Sequence, residues 1–406
     1  MASGRMTAVF RMALLVVAFA GAALSNAASA LSTADFLASL TDSEANAFQE
    51  WKTERRTYDG QLDNYWEKVD DKRQARKKKR AAKVPFEASD YVMSFPPAYS
   101  GPKLSDKLAA KYAKFLADQE KSQPTPPKDM LTIPDYLNAA KNVYGFVPER
   151  LSEKEFKKRY AEEAVALGLA KDQVVRIYAL ETGGIGTYDM QAGIHPIKKT
   201  GRAISSALGY AQLLDANSVN ELSQHGDFFN DRLGEKLRNP NLSKDRATAI
   251  KTKIAILKRM YANAKRVPFE WSRHQSYAKT AEGMGMHTLN IDGDIGPLMQ
   301  AMKLRGLKDT AEKAGRPQLA GAEMEAMNLA GPATGLEMMQ PAGRKAPVTN
   351  FFARRAYYVN KMVVGLTGEQ LLAELDRRMT DSMKTAGSQE FEAAFDSVVA
   401  AKTAGR

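Results

Sequence analysis

The sequence predicts a mainly α-helical fold, and three observations carry that reading. Apolar residues recur at steps of three and four over long stretches, the spacing that lines one face of a helix. Sustained apolar–polar alternation, the mark of a half-buried strand, is hard to find anywhere in the 406 residues. Proline clusters fall between the periodic blocks and not within them. No internal repeat of fixed period is present.

The elements follow in chain order. Residues 1–30 read as a secretory leader: Arg5 and Arg11 precede an apolar run from Met12 to about Leu24, and Ala28-Ser29-Ala30 supplies the small residues of a cleavage site after Ala30. That run is short for a membrane span, so the mature chain is expected to be exported, in the periplasm, with no transmembrane segment once the leader is removed. An uncleaved N-terminal anchor is the alternative, and it too places the remainder outside the cytoplasm. Residues 31–130 form a helical extension. Thr41 and Glu44 in "TDSE" fit a capping box that opens a long helix. Phe48, Trp51, Tyr58, Leu62, Tyr65 and Val69 then step along one seam, interrupted by Arg55, and seek a face to pack on, either the rest of the chain or a protein partner. The helix ends in "DKRQARKKKR", residues 71–80, which reads as a solvated basic end or as an attachment to an anionic polymer.

From Val84 to Lys128 "SFPPAYSGP" and "QPTPPK" suggest irregular linker, with a short helix over about 104–121. Residues 131–406 return to dense helical periodicity and form the main domain. The segment opened by Ser243, with Ile250, Ile254, Leu257 and Tyr261, is a clear amphipathic helix.

Composition narrows the chemistry. With no cysteine there is no disulfide, thiolate nucleophile or cysteine metal site. The net charge of +12 and pI near 9.5 favour acidic partners, and for an exported protein these are wall polymers or anionic lipid before nucleic acid. The four histidines, His195, His225, His274 and His287, lack metal-ligand spacing, and "NIDGDIG" around Asp292 and Asp294 lacks the terminal Glu of a calcium loop. No metal and no cofactor are expected; a turn followed by a helix capped by Asp294 is expected instead.

One carboxylate stands out in "QVVRIYALETGGIGTY". Val174, Ile177, Tyr178 and Glu181 share a helical stripe, so a charge falls on the face a helix turns toward its core, just before the stop signal Gly183-Gly184. A last-turn glutamate can bend out to solvent. Facing an apolar wall at the negative end of a helix dipole, it is instead driven toward its protonated form, which is what a general acid needs.

Further along come Gly209, Tyr210 and Gln212 in "SSALGYAQLLDANS", then Asn328 in "EAMNLAGPATG", then Tyr358 and Val359 in "FFARRAYYVNKM". In that order, over residues 165–365, they resemble the signatures of soluble lytic transglycosylases of the goose-lysozyme-like type: Glu-Ser at a helix end, Gly-x-x-Gln opening a helix, and Ala-Tyr-Asn-x-Gly. Thr182 stands in place of the serine and Met327 in place of the tyrosine. Between Glu181 and Gly209 there is more chain than is usual, expected to form an extra wall of the cleft. "GPLMQ" at 296–300 and "GLEMMQP" at 335–341 look superficially like the glycine–glutamine signature but lack its spacing, and packing is their expected role.

The resemblance implies a lysozyme-like catalytic domain with an N-terminal helical appendage, acting on peptidoglycan glycan strands. Glu181 is then the general acid and afterwards the base, cleaving between N-acetylmuramic acid and N-acetylglucosamine to give a 1,6-anhydro product. The substrate N-acetyl group can assist, so a second carboxylate is not obligatory. Thr182, Ser205, Ser206, Gly209, Tyr210, Gln212, Asn328 and Tyr358 are the expected substrate contacts, with Asp189 a further sugar contact. Gly209 in a helical stretch would let a sugar approach the backbone or two helices pack closely; Gln212 would lie on nearly the same face. Ser205 and Ser206 could equally cap a helix. Two alternatives stay open: a hydrolytic muramidase with the same acid, and a non-catalytic wall-binding protein that keeps the cleft. Nucleic-acid binding through the basic run has no matching motif.

Overall fold

The computed structural model describes residues 32–121 and 130–404, so the expected leader and the "QPTPPK" segment lie outside the described residues. The chain is mainly α-helical, and among the described residues the β-structure is limited to isolated bridges. None of these helices is long and apolar enough to cross a membrane.

Two compact units divide the chain. The smaller comprises residues 32–55 and 100–121. It holds α1 (Thr33–Ala38), the first part of α2 (Asp42–Ala81) and α3 (Asp106–Lys121). The capping box opens α2 as the spacing predicts: Glu44 N donates to Thr41 Oγ1 at 3.3 Å and Thr41 N to Glu44 Oε2 at 3.1 Å. Phe36, Phe48, Leu108 and Phe115 form a small core, with Trp51 and Tyr112 packed against it.

The larger unit comprises residues 56–99 and 130–404 and therefore includes much of the expected extension. Here the α2 stripe finds its face within the same chain. Leu62, Tyr65, Trp66 and Val69 are buried, Tyr65 sharing a 2.7 Å hydrogen bond with Thr349 and Trp66 meeting Tyr357 edge-on. Neither reading of the basic run describes what part of it does. Arg76 is 1 % exposed and donates to Glu337 Oε1 at 2.5 Å, to the Asp90 carbonyl at 2.8 Å and to the Asn350 carbonyl at 2.7 Å. Arg73 donates to the carbonyls of Thr349 and Phe352, and Arg80 pairs with Glu337. These cations tie α2 to the segment that carries Glu337 and to the 349–352 turn. Residues 84–99, expected as linker, are held by the Asn350 side chain, which bonds both the amide and the carbonyl of Val92.

The remaining helices of this unit are α4 (Ile133–Tyr144), α5 (Glu153–Ala166), α6 (Lys171–Thr182), α7 (Asp215–Lys236), α8 (Lys244–Lys265), α9 (Trp271–Tyr277) and α10 (Ala281–His287). They are followed by α11 (Gly296–Lys313), α12 (Gly321–Ala330), α13 (Pro332–Met338), α14 (Pro341–Lys345), α15 (Arg354–Val359), α16 (Gly368–Ser382) and α17 (Ala386–Ala404). They build two cores. One gathers α5, α6, α12, α16 and α17 around Phe156, Tyr178, Met327, Leu375 and Phe391; the other gathers α4, α7, α8 and α10 around Tyr144, Phe229, Leu257 and Met286. α11 serves both, giving Ala301, Leu304 and Leu307 to the first and Leu298, Met299 and Met302 to the second.

The α11 entry corrects one expectation. The side chain that takes the turn amides is Asp292, whose Oδ1 accepts from Asp294 N and Ile295 N at 3.0 Å each. Asp294 is buried among Lys253, Arg246, Lys236 and Arg159, where the cations outweigh the cost of burial and keep its carboxyl well below the usual range.

Candidate functional site

A cleft of about 870 Å³ opens between the two cores, within the size range of small-molecule sites. α6 and α12 wall one side with Glu181, Met327 and Asn328. α7 lines it with Asn217, Asn220, Glu221, Gln224 and His225, and α11 lies between with Lys303, Leu307 and Thr310. Trp271, 45 % exposed, stands at its rim. Ala192 and Ala207 add a wall from the long 183–214 connection, as the extra chain there predicts.

Glu181 arrives there for the reason its stripe suggests. Val174, Ile177 and Tyr178 are 1 % exposed, so the face they define points inward, and Glu181 lies one turn on, where the core opens into the cleft. Gly183, at φ +63°, ends α6 in a left-handed cap directly after it. Burial raises the Glu181 carboxyl above its ordinary value, while Glu325, Lys303 and Asn328 pull it partly back. Asn328 Nδ2 donates to Glu181 Oε1 at 3.3 Å, and Lys303 Nζ donates to Asn328 Oδ1 at 2.6 Å.

Three charged residues here were absent from the expected site. Glu325 is fully buried one turn before Asn328 on α12, and its carboxyl is driven well above the ordinary value by burial and by the Glu181 charge. Glu221, 7 % exposed, is pushed up to about 7 by burial, with Lys303 and Asn220 opposing. Lys303 is held below its usual value by burial, although Glu221, Glu325 and Glu181 all favour its charged form. A sequence signal for the α7 side did exist: Asn217, Asn220, Glu221, Gln224 and His225 fall at i, i+3, i+4, i+7 and i+8, a polar stripe on one helix face.

Of the expected contacts, Gln212 and Asn328 reach the cleft with Glu181. The helix expected around Gly209 does not form. Leu208 and Leu213 make an isolated bridge that closes a tight turn, with Gly209 at φ +77° and Gln212 at φ +42°; α7 starts only at Asp215. A Cβ on Gly209 would stand 2.5 Å from Gln300 Nε2, so the glycine makes room for a glutamine of the protein itself. Gln300, in the stretch expected merely to pack, accepts from Ala211 N at 3.0 Å and donates to the Asn290 carbonyl at 3.1 Å. Gln212 Nε2 turns back to the Gly209 carbonyl at 2.7 Å.

The other positions serve the fold. Thr182 is buried and donates to the Tyr178 carbonyl at 2.7 Å. Tyr210 is fully buried among Phe156, Tyr160, Tyr178 and Phe391, and its hydroxyl bonds Glu153. Ser205 and Ser206 act as local caps, Ser205 Oγ accepting from Ala207 N at 2.9 Å and Ser206 Oγ from Asp215 N at 3.2 Å at the start of α7. Tyr358 lies outside the cleft, where its hydroxyl accepts from Trp66 Nε1 at 3.4 Å. Asp189 is also outside the cleft lining, bonded to Thr187 and paired with Arg150 and Lys199, which outweigh burial and hold its carboxyl low. Among the described residues, no group of three or more histidines and carboxylates is arranged to hold a metal ion.

The cleft therefore combines a half-buried carboxyl of raised proton affinity, a second carboxyl near neutrality, a half-buried ammonium, several amides and an aromatic rim. Such groups can hydrogen-bond a polar ligand and exchange protons with it. Compared with family models, curated proteins and solved structures, the chain matches none of them.

Proposed function

We propose that this protein is an exported, periplasmic peptidoglycan lytic transglycosylase with a lysozyme-like catalytic domain. The observation that carries this reading is Glu181: a carboxyl with raised proton affinity, in an amide-lined cleft, hydrogen-bonded by Asn328. In this reading protonated Glu181 gives its proton to the oxygen between N-acetylmuramic acid and N-acetylglucosamine as the glycosidic C–O bond breaks. The carboxylate so formed then takes the proton of the C6 hydroxyl while that oxygen closes on the anomeric carbon. The product is a 1,6-anhydro sugar, and no water is consumed. Gln212, Asn217, Asn220 and Gln224 supply donors and acceptors for hydroxyl and acetamido groups, and Trp271 offers an apolar face to a sugar ring.

Glu221 favours a second reading. It brings to the same cleft a carboxyl that is half ionised near pH 7, which could activate a water and make the enzyme a hydrolytic muramidase. Mass spectrometry of muropeptides released from purified peptidoglycan separates the two. Anhydro products from wild type, lost in Glu181→Gln and retained in Glu221→Gln, support the transglycosylase. Reducing-end products lost in both variants support the muramidase. Intact glycan with folded, glycan-bound wild-type protein would leave the cleft a binding site and refute both.

A further inference from the structure

We propose that Glu325 is a positioning residue that stays a neutral carboxylic acid and donates a hydrogen bond to Glu181, so that Glu325 and Asn328 together cradle the Glu181 carboxylate. The consequence for turnover rests on the glycan-cleaving reading of the cleft; the protonation state of Glu325 does not.

The geometry begins with the amide of Asn328. Lys303 Nζ, which can only donate, lies 2.6 Å from Asn328 Oδ1, so the amide oxygen must face the ammonium and the nitrogen must face away. That nitrogen carries two N–H groups. It stands 3.3 Å from Glu181 Oε1 and 3.3 Å from Glu325 Oε2, one acceptor on each carboxyl. Both carboxyls thus converge on one amide nitrogen, an arrangement that two full negative charges disfavour and that favours one of them holding a proton.

Burial decides which one. Glu325 has no exposed surface, whereas Glu181 reaches the cleft. Around the pair stand Lys303 from α11 and Glu221 from α7. One half-buried ammonium lies in the field of three carboxyls, and two carboxylates drawn to one donor resist ionising together. The more deeply buried acid keeps its proton, and its O–H points to Glu181. When Glu181 passes its proton to a leaving oxygen, the new carboxylate already has two fixed donors, Glu325 O–H and Asn328 N–H. When Glu181 recovers a proton, Glu325 has neither gained nor lost one.

The test follows the two carboxyl carbons by 13C NMR in the full mature chain, labelled at glutamate and assigned with Glu181→Gln and Glu325→Gln. Glu325 is expected at the chemical shift of a protonated acid at pH 7. In Glu325→Leu, which keeps the site dry but removes the donor, Glu181 titrates at higher pH than in wild type. In Glu325→Gln, whose amide still donates, Glu181 titrates near its wild-type position. On peptidoglycan, Glu325→Leu loses about ten- to a hundredfold in turnover, as expected for a hydrogen bond to a charged group, and Glu325→Gln recovers most of it. An ionised Glu325 at pH 7 overturns the proposal, as does a Glu181 titration that is the same in the Leu variant. If wild type cleaves no glycan while Glu325 is found neutral and coupled to Glu181, the cradle stands and the assigned reaction fails.

Discussion

Glu221→Gln offers a quantitative check on the electrostatics of the cleft. The side chain is 7 % exposed, so little solvent screening weakens the shift, and its carboxyl moves from an ordinary 4.5 to about 7. A carboxyl with a raised folded-state pKa favours folding while it is protonated in both states, below 4.5. As pH rises from 4.5 toward 7 the unfolded chain releases the proton freely and the folded chain does not, so stability is lost across that window and the loss is complete above 7. The displacement corresponds to about 3 kcal/mol. Glutamine mimics the protonated form and titrates nowhere. Urea unfolding followed by circular dichroism from pH 4 to 8 should therefore show wild type and variant diverging with pH. The variant should gain about 3 kcal/mol relative to wild type between the two ends. Parallel pH profiles would refute the assignment of a buried, near-neutral carboxyl at Glu221, and with it the basis of the hydrolytic reading.

Two further outcomes follow from the packing. Arg76→Met should cost about 3–5 kcal/mol in chemical denaturation, because it leaves Glu337 and the carbonyls of Asp90 and Asn350 buried with fewer partners; a loss below about 1 kcal/mol, the worth of an exposed pair, would show that this guanidinium is solvated. Gly209→Ala should destabilise by about 1–3 kcal/mol through its left-handed backbone and the approach of Gln300. Adding Gln300→Ala should relieve the steric part, and strict additivity of the two changes in thermal unfolding would sink that explanation.

Local pattern was enough for the helical class, for the capping box at Thr41 and Glu44, for the helix opened by Ser243, and for an inward carboxylate at Glu181 followed by a left-handed glycine. Each depends on residues within one or two turns of each other, where helical spacing converts directly into direction. The same rule carried the α7 polar stripe, but a polar stripe looks alike whether it faces solvent or a cleft. Only the packing of α7 across α11 from α6 and α12 told the two apart.

What the tertiary structure alone decided is partnership across long separations. Gly209 looked like a helix residue kept small for a sugar or for a packed helix because Gln300, the group it makes room for, stands 91 positions away in the chain. Arg76 looked like part of a solvated basic run because Glu337 and Asn350 come from a distant segment. Tyr210 and Thr182 sit beside expected site positions in sequence, yet their side chains point into the core. Glu181, Glu221, Lys303, Glu325 and Asn328 come from four helices, and none has an unusual pKa or role until burial removes water and brings the others within reach. The sequence by itself determined which faces turn inward; the fold determined which buried charges meet, since desolvation and charge coupling depend on distance in space and not along the chain.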